Sequence, residues 1–124
     1  SRSTVSCVGG QISSSTLSLS GPQAEAFLAT VNIDTAVLAA TGYSAGAGFT
    51  VGSYTENSLK RRVIQKADKV ILLIDRSKLG RTLPFTFASL SDIDVVICDA
   101  PLPEDFIQAA RAAGTEVLQV QPAK

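Results

Sequence analysis

Runs of apolar residues alternate along the chain with amphipathic segments. Several of these runs are nearly uninterrupted and rich in β-branched residues, which is typical of strands buried on both faces of a parallel sheet. Six segments have a strand-like pattern: 4–8, 16–19, 35–40, 69–75, 94–99 and 116–120. With helical patterns between them, the sequence predicts an α/β fold with a mainly parallel sheet and flanking helices.

Three segments have the pattern of helices. The first, 21–31, begins with a Gly-Pro step, and proline suits a first helical turn. The second, 55–67, has Thr55 as its expected N-cap. The third, 103–113, is expected to end at Gly114. The length of 124 residues predicts one domain.

Residues 41–54 contain four glycines and no regular pattern, so we predict an irregular loop after the strand that ends at Ala40. Ligands of open α/β sheets bind beyond the carboxyl ends of the strands. Segment 75–80 follows the next strand, and Asp99 follows the one after it. The sequence therefore predicts a binding site built from these loops.

Composition narrows the possible function classes. The 124 residues are 45% hydrophobic and 18% charged, and 11 basic residues balance 11 acidic ones. This balance provides no basic surface for DNA or for a membrane. The chain has no histidine, which excludes Ser-His-Asp and Cys-His catalysis and removes a common metal ligand. We expect no metal and no cofactor.

Two cysteines, Cys7 and Cys98, lie in apolar runs and are expected to be free and buried. No segment has the length of a membrane span or the pattern of a signal peptide. These features predict a cytoplasmic protein.

Polar residues in the predicted loops suggest a pocket for a charged metabolite. Lys78 offers a positive charge to a phosphate or carboxylate, and Glu56 and Asp75 could accept hydrogen bonds from sugar hydroxyls. Structural roles stay open, since Glu56 and Lys60 have the spacing of a helical ion pair and Asp75 could cap a turn. The pair Gly9-Gly10 could be a simple tight turn.

Several motifs, in order, resemble the C-terminal sensor domain of DeoR-family repressors. The main ones are the helical segment 56–61 and the apolar strand that ends in Asp75-Arg76-Ser77-Lys78-Leu79-Gly80. Around them, Val8-Gly9-Gly10 and segments 17–22, 41–50 and 90–99 match in the same order.

The resemblance implies the fold of ribose-5-phosphate isomerase and CoA transferases, used to sense a phosphorylated sugar and not for catalysis. It also implies a homo-oligomer, a dimer or tetramer, whose DNA contacts come from an N-terminal helix-turn-helix outside this chain. The effector site that it implies comprises Gly9, Gly10, Thr41, Gly42, Gly48, Glu56, Lys60, Asp75 and Lys78.

Some features depart from the family pattern. Ser13 replaces a frequent arginine, Leu79 replaces an aromatic residue, and the phosphate-cradling Asp-x-Gly-Thr-Thr loop is not in this sequence. Two other functions stay open from the sequence. One is a sugar-phosphate isomerase or deaminase with Glu56 or Asp75 as its base, and the other is an oligomerisation module with a vestigial pocket.

Overall fold

A computed structural model describes residues 26, 28–99 and 101–120. Its strands and helices follow one another in chain order: β1 (Ile33–Ala39), β2 (Gly42–Ser44), β3 (Gly48–Val51), α1 (Tyr54–Lys66), β4 (Ala67–Ile74), β5 (Phe85–Ala88), β6 (Val95–Cys98), α2 (Glu104–Ala113) and β7 (Glu116–Gln119). Two short 3-10 helices lie at Arg76–Lys78 and Leu90–Asp92. Within these residues no helix has the length and apolar character needed to span a membrane.

Four strands form a parallel sheet in the order β1-β4-β6-β7. The predicted α/β fold with a mainly parallel sheet is confirmed, and these four strands and both helices begin and end within two residues of their predicted limits. The predicted strands at 4–8 and 16–19 lie outside the described residues. Of the predicted helix at 21–31, Ala26 and Leu28 are described as helical.

A second sheet, β2-β3-β5, is antiparallel. The prediction of an irregular loop at 41–54 is therefore wrong, since this segment contains β2 and β3 and the start of α1. Strand β5 was not predicted from the sequence. Strands of three or four residues carry little periodic pattern, and β3 is ordered by pairing with a segment far along the chain.

The start of α1 also differs from the prediction. Ser53, not Thr55, is the N-cap: its backbone is extended and its side chain accepts a hydrogen bond from the Glu56 N–H at 3.3 Å. The Thr55 hydroxyl lies 3.0 Å from the Ser53 hydroxyl. At the other helix, Gly114 ends α2 as predicted.

The core lies between one face of the parallel sheet and a layer made of α1, α2 and the small sheet. Leu72 and Val96 on the parallel sheet and Phe49 and Val51 on the small sheet are fully buried. On the opposite sheet face Leu73 keeps 42% of its surface exposed. The apolar runs predicted burial on both faces, and on this second face Val95 is buried while Leu73 is not.

The turn between β2 and β3 provides a test of this packing. Gly48 has φ +84°, and a Cβ there would lie 2.6 Å from the Ala88 carbonyl oxygen. We expect Gly48→Ala to lower the free energy of unfolding by more than about 1 kcal/mol, because the left-handed backbone and the contact both oppose a side chain. Chemical denaturation measures this loss.

The matched control is Gly46→Ala in the same turn, where a Cβ would meet nothing within 4 Å. This variant should stay within about 0.5 kcal/mol of the parent chain. Equal stability of the two variants would show that the β3–β5 contact is not as close as described.

Candidate functional site

A cleft of about 480 Å³ lies at the carboxyl ends of β1, β4 and β6. It brings together two of the predicted site residues, Asp75 and Lys78, at the edge where the sequence predicted a binding site. The other lining residues are mostly apolar: Ala39, Ala40, Leu73, Ile74, Ile97, Cys98, Asp99 and Val120.

Asp75 caps the 3-10 turn that carries Lys78. Its carboxylate oxygen Oδ1 accepts a hydrogen bond from the Ser77 N–H at 3.0 Å. This hydrogen bond lowers the pKa of Asp75, and the charge of Lys78 adds a smaller effect in the same direction. The predicted capping role of Asp75 is confirmed, and its exposed carboxylate remains ionised beside Lys78.

Asp99 also lines the cleft; the sequence placed it in a loop of the predicted site but not among the effector-binding residues. Its Oδ1 accepts hydrogen bonds from the Arg76 N–H at 3.2 Å and from the Cys98 thiol at 3.7 Å. Asp99 thus connects the ends of β4 and β6. Its position directly after an apolar strand was the available signal. The Cys98 side chain is buried, as predicted.

The small sheet holds the segment that follows Lys78. The Gly80 N–H donates to the Tyr43 carbonyl oxygen at 2.7 Å, and the Leu83 N–H donates to the buried Thr50 hydroxyl at 3.0 Å. The Thr82 hydroxyl donates to that of Ser44 at 2.9 Å. This chain segment is therefore fixed at several points, which positions the turn at the cleft.

Three predicted site residues, Thr41, Gly42 and Gly48, lie in or next to the small sheet and away from the lining of the cleft. The Thr41 N–H donates to the Thr50 carbonyl oxygen at 3.1 Å. A Cβ at Gly42 would lie 2.6 Å from the Arg81 carbonyl oxygen, so a larger residue there would push the segment after Lys78 away. In this structure these residues contact the small sheet and the segment after Lys78, and they do not line the cleft. Gly9 and Gly10 lie outside the described residues, and their role stays a prediction.

Glu56 and Lys60 also lie apart from the cleft lining. Their atoms Oε2 and Nζ are 3.8 Å apart, so the predicted helical ion pair is confirmed. The Lys60 side chain is 14% exposed, and Nζ lies 5.5 Å from the centre of the Phe87 ring. Burial lowers the pKa of Lys60, and the Glu56 carboxylate partly offsets this effect. Lys60 therefore joins α1 to the small sheet.

The sequence comparisons identify the family. Residues 1–100 match the sequence profile of the DeoR C terminal sensor domain, and the chain belongs to this family. Over 114 residues, 92% of the chain and 45% of the relative, it is 36% identical to the HTH-type transcriptional regulator GlpR of Haloferax volcanii. Over 111 residues, 90% of the chain and 43% of the relative, it is 32% identical to the HTH-type transcriptional repressor GlcR of Bacillus subtilis.

A third relative is the glycerol-3-phosphate regulon repressor of Escherichia coli, which is 29% identical over 100 residues, 81% of the chain and 40% of the relative. The chain spans less than half the length of these relatives. They are named as regulators or repressors, and the chain is a sensor domain, not an enzyme. The resemblance found in the sequence motifs is confirmed.

The burial of Lys60 predicts how the free energy of unfolding changes with pH. Because the pKa of Lys60 in the folded chain lies below its ordinary value of 10.5, the unfolded chain binds more protons between the two values, and stability rises with pH across that window. We expect Lys60→Met to be as stable as the parent or more stable at neutral pH, since it keeps the apolar stem and removes a buried charge. Its stability should also rise less as pH approaches 10.5.

Denaturation at several pH values measures both effects, with Lys66→Met in the last turn of the same helix as the control. A loss of more than about 1 kcal/mol in Lys60→Met at neutral pH, with an unchanged pH slope, would contradict this interpretation. It would mean that the ion pair and the ring contact outweigh the desolvation of the ammonium group.

Proposed function

We propose that this chain is the effector-sensing domain of a transcription regulator and that the cleft binds a small phosphorylated metabolite. The main support for this proposal is that Asp75 and Lys78 line the same cleft at the carboxyl ends of parallel strands. Open α/β sheets bind their ligands at this edge. Family membership supports the sensing role.

The cleft has groups for each part of such an effector. Lys78 is a half-buried positive charge suited to a phosphate. Asp75 and Asp99 accept hydrogen bonds from hydroxyl groups, and Ala39 and Leu73 offer apolar contact to a carbon skeleton. Two carboxylates and one ammonium group line the cleft, so we infer an effector with several hydroxyls and a single anionic group.

The remaining parts of the regulator are inferred in the same way. DNA contact by a helix-turn-helix unit elsewhere in the polypeptide fits the zero net charge of this chain and the names and lengths of its relatives. We further infer a cytoplasmic homo-oligomer with the ribose-5-phosphate isomerase-like fold. The printed name of the Escherichia coli relative favours a polyol or sugar phosphate as the effector.

A thermal-shift screen of the chain with glycerol 3-phosphate and a panel of sugar phosphates tests the proposal. A ligand at one hundred times its dissociation constant should stabilise the folded chain by about 2.7 kcal/mol. Lys78→Ala should abolish most of this shift while leaving the unliganded stability within about 0.5 kcal/mol, because a loop lysine contributes little to the core.

Lys66→Ala is the matched control, since this lysine lies at the opposite end of the sheet and should leave the ligand shift intact. A shift that persists in Lys78→Ala would place the effector elsewhere. No shift with any phosphate would contradict the proposed effector class.

A further inference from the structure

Two backbone hydrogen bonds flank Lys78 along the chain and join its turn to other strands. Before the lysine, the Arg76 N–H donates to Asp99 Oδ1 at 3.2 Å. After it, the Gly80 N–H donates to the Tyr43 carbonyl oxygen at 2.7 Å. The backbone of Lys78 is therefore fixed between the end of β6, where Asp99 lies, and the small sheet.

The two carboxylates of the cleft hold this turn in different ways. The first N–H groups of a helical turn have no partner inside the turn, so acceptors from elsewhere satisfy them. Asp75 accepts a hydrogen bond from the Ser77 N–H at 3.0 Å, but it directly precedes the turn and moves with it. Asp99 accepts from the Arg76 N–H across the sheet. Of these two bonds, the one to Asp99 fixes the turn relative to β6.

The strand register brings Asp99 to this position. Ile74 pairs with Cys98, so the residues that follow them, Asp75 and Asp99, leave the sheet at the same level. The Cys98 thiol also donates to Asp99 Oδ1, at 3.7 Å. One carboxylate oxygen thus accepts from its own strand and from the turn after β4, and the two donors restrict its orientation.

The charge of Asp99 does not itself favour an anionic effector. A carboxylate that lines the cleft repels a phosphate in the same cleft, whereas Lys78 attracts it. The attraction depends on where the turn holds the lysine, because a binding group contributes most when its supporting contacts fix it in place. A role for Asp99 in anion binding therefore acts through the position of the turn.

We propose that Asp99 is a positioning residue of the cleft: through the Arg76 N–H it holds Lys78 where the lysine meets the anionic group of the effector. This role rests on the proposed function and adds to the hydroxyl contact assigned to Asp99 there. The two roles differ in their consequences, since a hydroxyl contact has no effect on an anion without hydroxyls.

Amide hydrogen exchange of the ligand-free 124-residue chain, followed by NMR, tests the position of the turn. Asp99→Ala should accelerate exchange of the Arg76 amide about tenfold, because this N–H loses its acceptor. Asp99→Asn keeps an acceptor oxygen and should exchange near the parent rate. Asp68→Ala, which removes an exposed aspartate at the other end of β4, is the matched control. Unchanged exchange at Arg76 in Asp99→Ala would overturn the proposal.

Titration with sodium sulfate, followed by amide chemical shifts, tests the effect on the cleft. Sulfate has the shape and charge of a phosphate group and no hydroxyl. Asp99→Ala should weaken sulfate binding about fivefold although it removes a repelling charge, because Lys78 is no longer held in place. Asp99→Asn should bind sulfate as tightly as the parent or more tightly, and Asp68→Ala should bind it like the parent.

The outcomes separate this inference from the proposed function. Sulfate binding that is equal or tighter in Asp99→Ala, or that is lost equally in Asp99→Ala and Asp99→Asn, would overturn the positioning role alone. A parent chain that binds neither sulfate nor any sugar phosphate in the cleft would overturn both. Circular dichroism checks that each variant is folded, and Asp99→Val, which also lacks an acceptor, replaces Asp99→Ala if that variant does not fold.

Discussion

The parallel register of β1, β4 and β6 is the constraint on which the site depends. Leu73 pairs with Ala39 on one side and with Ile97 on the other, so the three strands end at one level. The turn after β4 and the carboxylate after β6 consequently meet, and the Arg76 N–H reaches Asp99 at 3.2 Å. A shift of one residue would move every side chain of a strand to the other face and separate these groups.

The small antiparallel sheet holds the turn at the end of β4 in position, because it hydrogen-bonds to the segment that follows Lys78. Its contacts with the segment after Lys78 run through backbone groups, through the buried hydroxyl of Thr50 and through the hydroxyl of Ser44. The close approach at Gly42 leaves no room for a side chain. Gly42 and Gly48, which were predicted to bind an effector, lie in the sheet that hydrogen-bonds to the segment after Lys78. The site and its support belong to different sheets.

The sequence predicted the parts of the fold that depend on local pattern. The runs at β4 and β6 are long and apolar, and α2 ends at a glycine, so each could be recognised from its own residues. The small sheet could not, because the requirement for Gly48 comes from Ala88, forty residues away. Asp75 and Lys78 directly follow a strand, so their place at this edge of the sheet could be predicted from the sequence. Glu56 and Lys60 were predicted at the same site because they are charged. In the structure they pair with each other, and Lys60 lies over the Phe87 ring.

The most direct test of the account is a titration of the isotopically labelled chain with a phosphorylated polyol, followed by amide chemical shifts. If the cleft binds the effector, the largest shifts cluster at Arg76, Ser77, Lys78 and the neighbouring Asp99, at the edge shared by β4 and β6. Saturable shifts confined to other surfaces, such as the groove between α2 and β7 near Arg111, would contradict it.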